Sequence, residues 1–101
     1  MKIFIDDVRE APPNFDITLR SSQEAILWMT VNGIPDHISF DHDLGGDDTA
    51  MRIVHWMIDI DLESEHDLIP NNFTFQVHSA NPVGAENIAK TLQGYLKFRN
   101  E

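Results

Sequence analysis

Apolar positions along the chain fall into short continuous runs and longer stretches with helical spacing, in alternation. Lys2-Ile3-Phe4-Ile5 is too continuously apolar for a strand with one wet face, so residues 2–5 are expected to form a strand buried on both faces. Pro12, Pro13 and Asn14 make 8–15 a loop, and Phe15 to Leu19 reads as a second strand. Ser21 with Glu24 three residues later is a capping-box pattern, and it opens a helix carrying Ala25, Ile26, Trp28 and Met29 that Asn32-Gly33 stops. A third strand follows Pro35 and ends at Phe40. After the Gly45-Gly46 turn, Asp47 or Asp48 is positioned to cap a helix with Ile53, Val54, Met57 and Ile60 on one face. Pro70-Asn71-Asn72 breaks the chain before a strand over 73–77. Asn81-Pro82 then starts a last helix whose stripe is Ile88, Leu92, Tyr95 and Leu96.

Three of these strands run into chemistry-bearing residues: Asp6-Asp7, Asp41-His42-Asp43 and His78-Ser79-Ala80-Asn81. In an open parallel α/β sheet the carboxyl ends of the strands share one edge, so residues far apart in sequence meet there. The expected fold is a single small three-layer α/β domain over residues 1–101. Its sheet is mostly parallel, has about four strands and is joined by right-handed crossovers.

Composition narrows the function. The chain has no cysteine, which is compatible with a reducing, cytoplasmic location, and neither a signal peptide nor a membrane-length apolar run is visible. A net charge of −10 argues against binding duplex nucleic acid or anionic membranes through phosphate neutralisation. A phosphate-containing substrate would need local charge compensation, which a divalent cation on the clustered aspartates could supply. Asp59, Asp61, Glu63, Glu65 and Asp67 read as a solvated helix end and loop. His37, His55 and His66 lack acidic neighbours at ligand spacing and read as surface or packing residues, while Trp28 and Trp56 read as core or interface.

An acidic pair after the first strand, an aspartate after the third and a hydroxyl residue after the fourth resemble response-regulator receiver domains. Asp6 and Asp7 match the pair, Asp41 the phosphoacceptor position, and Ser79 lies close to the hydroxyl position. Two features depart from that pattern: a proline-rich loop replaces the first helix, and no fifth strand with a lysine exists, Lys90 and Lys97 lying on the last helix. Asp6-Asp7-Val8-Arg9, Ser39-Phe40-Asp41-His42-Asp43-Leu44-Gly45 and His78-Ser79-Ala80-Asn81-Pro82-Val83-Gly84 are similar to the compact cyclic-phosphate-processing receiver-like domains, from about residue 2 to residue 96. That resemblance implies a flavodoxin- or receiver-like fold and a cyclic phosphate, on a nucleotide or an RNA terminus, as substrate.

Opening a cyclic phosphodiester needs an in-line water, charge stabilisation on the non-bridging oxygens and a proton for the departing alkoxide. Mg2+ or Mn2+ on Asp6, Asp7, Asp41 and Asp43 would serve the second need. His78 or His42 would serve the third, with His78 preferred because alternation along an extended segment turns His42 away from Asp41 and Asp43. Arg9, Ser79, Asn81 and the backbone near Gly84 are the expected phosphate contacts. Each has a plainer reading: Asp7 and Asp43 as turn residues, Asn81 as a helix cap, Arg9 as a counter-charge. A calcium loop starting at Asp41 is excluded because its twelfth position is Arg52. A haloacid-dehalogenase reading of Asp41-His42-Asp43 would need its further acids and lysine downstream, whereas the acidic pair lies upstream. The competing class is a non-catalytic receiver-like module that binds a metal, nucleotide or protein partner through the same acidic pocket.

Overall fold

Ile3, Ile5, Ile38 and Phe40 project to one face of their strands and are wholly buried, and this row organises the molecule. The computed structural model describes residues 1–101. It has strands β1 (Lys2–Ile5), β2 (Ile17–Leu19), β3 (His37–Phe40) and β4 (Thr74–Val77), with helices α1 (Ser22–Asn32), α2 (Met51–Glu63) and α3 (Pro82–Arg99). The sheet order is β2-β1-β3-β4 and every pairing is parallel. Helices α1, α2 and α3 contribute Ala25 and Met29, Ile53, Val54 and Met57, and Ile88, Leu92 and Tyr95 to the one core shared with the strand row. Burial of each Ile or Leu in it contributes about 1.5–3 kcal/mol relative to exposure.

The other phase of the strands is polar: Lys2, His37, Ser39, Thr74 and Gln76. Phe4 is the exception, and Phe15 covers it edge-on at 5.3 Å between ring centroids. The layer on this side is therefore the 8–15 loop and its end, not a helix, because Pro12 and Pro13 bar one. This also moves the start of β2 to Ile17, Phe15 being used for packing.

Capping follows the sequence at two helices. Ser21 accepts from Glu24 N at 3.1 Å, and Asn81 accepts from Gly84 N at 3.0 Å with Pro82 in the first turn. At α2 the expectation fails: the cap is Ala50, with no side-chain bond, and neither Asp47 nor Asp48 serves. Residues 42–50 close into their own loop through Leu44 N to Asp48 O and Ala50 N to His42 O. Asp48 is thereby turned to α1, where it accepts from Ser22 N at 2.8 Å and from the Ser22 hydroxyl.

Asp61 is a second correction. Asp59, Glu63, Glu65 and Asp67 are exposed, but Asp61 is wholly buried. Its carboxylate accepts from Leu68 N at 3.0 Å, Ile69 N at 2.8 Å and Tyr95 Oη at 2.6 Å, and pairs with Arg99 Nε at 3.1 Å. Burial alone would raise its pKa, but the donors from Ile69, Tyr95 and Leu68 and the Arg99 charge hold it below the ordinary value. The Tyr95 hydroxyl is pushed up to about 12 by burial and by Asp61. This network ties α2, the loop after it and α3 together. No helix is long and apolar enough to cross a membrane.

Candidate functional site

Register builds the site. Ile5 pairs with Phe40 and Phe40 with Val77, and the ladder continues one residue further. Asp6 N donates to Leu19 O at 3.1 Å, Asp41 N to Ile5 O at 2.9 Å and His78 N to Phe40 O at 2.9 Å. Asp6, Asp41 and His78 therefore stand side by side across three adjacent strands, with one ligand-type atom from each lying within 4.8 Å of the others.

Asp6 is wholly buried and fully employed. Its Oδ1 accepts from Val8 N at 2.9 Å and Arg9 N at 2.8 Å, while Oδ2 lies 3.0 Å from His78 Nε2. Burial works against its charge, yet the bonds from Arg9, Val8 and His78 outweigh it and keep the carboxyl below its ordinary pKa. The His78 ring stacks on Phe4, 4.3 Å between centroids and 8° from parallel, and its Nδ1 lies 2.7 Å from Ser39 Oγ. Both ring nitrogens are thus engaged by protein groups.

Asp41 behaves oppositely. Burial and the neighbouring Asp6 charge raise its pKa, and the Ser79 hydroxyl and the positive influence of His78 only partly offset them. Ser79 Oγ in turn accepts from Asn81 N at 3.0 Å. Two carboxylates of unlike pKa beside a histidine form a site short of positive charge, which is the electrostatic condition a bound cation relieves.

Beside this row lies a second group. His42 Nδ1 is 3.0 Å from Asp43 Oδ1, and Asn81 Nδ2 donates to Asp43 Oδ2 at 3.2 Å. His42 is thus directed to Asp43, contrary to the alternation argument, because the chain turns at the 42–50 loop instead of staying extended. Gly84 makes the packing feasible: a Cβ there would sit 2.3 Å from His42 Cγ. Asp43 is held below its ordinary pKa by His42 and Asn81. Asp7 is half-buried, near Gly45, and like Asp43 is outside the trio of converging ligand atoms. Arg9 donates from Nη1 to His78 O at 3.1 Å, its Nε being 3.9 Å from Asp6 Oδ2. The structure thus brings all the expected residues to one sheet edge, but in two groups.

Three contributors escaped the sequence reading: Ser39, Phe4 and Arg20. Ser39 is wholly buried, and its signal was a lone hydroxyl in an apolar strand, two residues before Asp41 and so on the same face. Arg20 is the first residue past β2, as Asp6, Asp41 and His78 are past theirs. The clearest concavities lie elsewhere, between α1 and α2. The larger, about 340 Å3, is lined by Ser22, Gln23, Ile26, Leu27 and Arg52. Chemistry, not concavity, marks the site.

Four parallel strands with the candidate site residues along their carboxyl edge and three helices define a small receiver-like α/β domain. The family model of the cyclic-phosphate processing receiver domain matches residues 1–94, and the chain belongs to that family. Comparison with curated proteins gave no match, and comparison with solved structures gave none either.

Proposed function

We propose that this protein is a divalent-cation-dependent phosphoesterase that opens a cyclic phosphate on a nucleotide or an RNA end. The observation that carries the reading is the row Asp6, Asp41 and His78, three potential ligands converging within 4.8 Å in a family tied to cyclic phosphates. The donor set suits a cation: it would replace the proton shared by Asp6 Oδ2 and His78 Nε2, 3.0 Å apart, beside Asp41, which burial and Asp6 raise in pKa. An imidazole in the set favours Mn2+ over Mg2+. When bound, the cation supplies charge stabilisation to the phosphoryl oxygens and an acidified water.

The remaining work falls to the chain. Arg9, anchored by His78 O, presents its guanidinium to a phosphate oxygen. The Ser79 hydroxyl favours the Asp41 carboxylate, and Asn81 holds Asp43. His42 is the better proton donor to the leaving alkoxide, because Asp43 orients its Nδ1 and its Nε2 has no protein partner, whereas His78 is bonded at both nitrogens.

One observation favours a second reading, a binding module for a metal, nucleotide or protein partner: the concavities lie away from the row. Phosphorus NMR of the protein with nucleoside 2′,3′- and 3′,5′-cyclic phosphates, with Mg2+ or Mn2+, separates the two. Metal-dependent conversion to a monoester, absent in Asp41→Asn, is expected. Intact cyclic phosphate throughout would leave the binding module.

A further inference from the structure

The chain carries seventeen acids against seven lysines and arginines, so a carboxylate is the readiest partner for any cation. Arg52, Lys90 and Arg99 each have one: Asp48 at 3.8 Å, Glu86 at 2.7 Å and Asp61 at 3.1 Å. Arg20 has none. Its Nη1 donates instead to two backbone carbonyls of the turn after β1, Asp6 O at 3.1 Å and Arg9 O at 2.6 Å. Its Nε and Nη2 donate to no protein atom. The main chain therefore fixes the guanidinium without neutralising it, and leaves the other edge of a planar fork suited to two oxygens of one phosphate.

Arg9 is mounted in the same manner, Nη1 on His78 O, with its nearest carboxylate oxygen 3.9 Å from Nε and already occupied by His78. Two guanidiniums held on carbonyls thus flank one turn, adjoining the row of Asp6, Asp41 and His78. One suffices for a scissile phosphate beside a cation. We infer that, with Arg9 on the scissile phosphate, Arg20 forms a subsite for a second, non-scissile phosphate, so that the preferred substrate is a cyclic phosphate carrying a further phosphate group. This rests on the proposed reading of the site and specifies its substrate class. The second phosphate could be a 5′-phosphate or the internucleotide phosphate of an RNA end, which share the chemistry Arg20 would recognise.

The test follows the Arg20 side-chain Nε–H resonance by NMR. The metal-free protein is titrated with adenosine 2′,3′-cyclic phosphate, its 5′-phosphorylated form, and a dinucleotide ending in a 2′,3′-cyclic phosphate. At least one probe with the additional phosphate is expected to shift Arg20 and to bind about tenfold more tightly than the simple cyclic nucleotide, the scale of one charge-assisted contact. Arg20→Gln should erase that advantage and Arg20→Lys should retain part of it. Whichever probe gains identifies the phosphate source. An unmoved Arg20 with all three probes, or an advantage that survives in Arg20→Gln, overturns the inference. An equal loss for all three probes in Arg20→Gln also overturns it, since Arg20 would then only brace the turn. Phosphorus spectra of the same mixtures after Mn2+ addition score hydrolysis separately, so a non-hydrolysing protein that still discriminates refutes the enzyme reading alone.

Discussion

Gly84 and Gly94 lie on the same helix and give opposite forecasts for one substitution. Alanine is favoured over glycine within a helix by about 0.5–1 kcal/mol, which propensity alone would assign to both positions. At Gly94 a Cβ meets nothing within 4 Å, so Gly94→Ala should realise that gain. At Gly84 it would meet His42 Cγ at 2.3 Å and Cδ2 and Nδ1 at 2.6 Å. These are near-backbone ring atoms that cannot swing aside while Asp43 holds the ring. Overpacking of this kind costs about 1–3 kcal/mol, so the clash outweighs the propensity. The two variants should differ by about that amount in urea unfolding, or by several degrees in Tm, at about 4–8 °C per kcal/mol for a domain of this size. Gly84→Ala should also displace His42 from Asp43 and, on the proposed phosphoesterase reading, depress turnover relative to Gly94→Ala. Coincident unfolding curves for the two variants would refute the packing argument.

Three further outcomes are expected. Asp61→Ala strands Arg99 in the interior and should cost about 3–5 kcal/mol, against about 1–2 for Tyr95→Phe, both read by urea denaturation. Asp41 has a folded-state pKa above its unfolded value, so it detracts from stability at neutral pH and ceases to do so as pH falls towards the ordinary 3.8. Metal-free Asp41→Asn should therefore be more stable than wild type at pH 7, with the gap closing on acidification. Asp6 and Asp61 have the reverse sign in both variants, stabilising above 3.8 and losing that contribution as pH falls through their lowered values. Ser39→Ala removes the partner of His78 Nδ1 and should cost about 1–3 kcal/mol, with a changed His78 tautomer signal in nitrogen NMR.

Strand placement was legible because continuous apolar runs of four or five residues between turn signals leave few alternatives, and strand ends then located the site. Alternation carried further than it was taken: with Phe40 in the core, Ser39 and Asp41 must share the other face. Asp61 was legible too, standing four residues after Met57 on the buried stripe of α2, but acid-rich surroundings obscured it. The His42 orientation was not legible, since it depends on how residues 42–50 loop back and on the space at Gly84, which only the docking of α3 creates. The missing cap at α2 has the same origin: Asp48 is drawn to Ser22, a contact between elements 26 residues apart.

In the proposed cation site, Asp6, Asp41 and His78 act together. A Mn2+ titration followed by electron paramagnetic resonance tests this most directly, using wild type, Asp41→Asn, His78→Ala and Asp43→Asn. One site that is lost in Asp41→Asn, weakened in His78→Ala and retained in Asp43→Asn is the expected result. Binding that persists in Asp41→Asn but disappears in Asp43→Asn would contradict the account and move the centre to the second group.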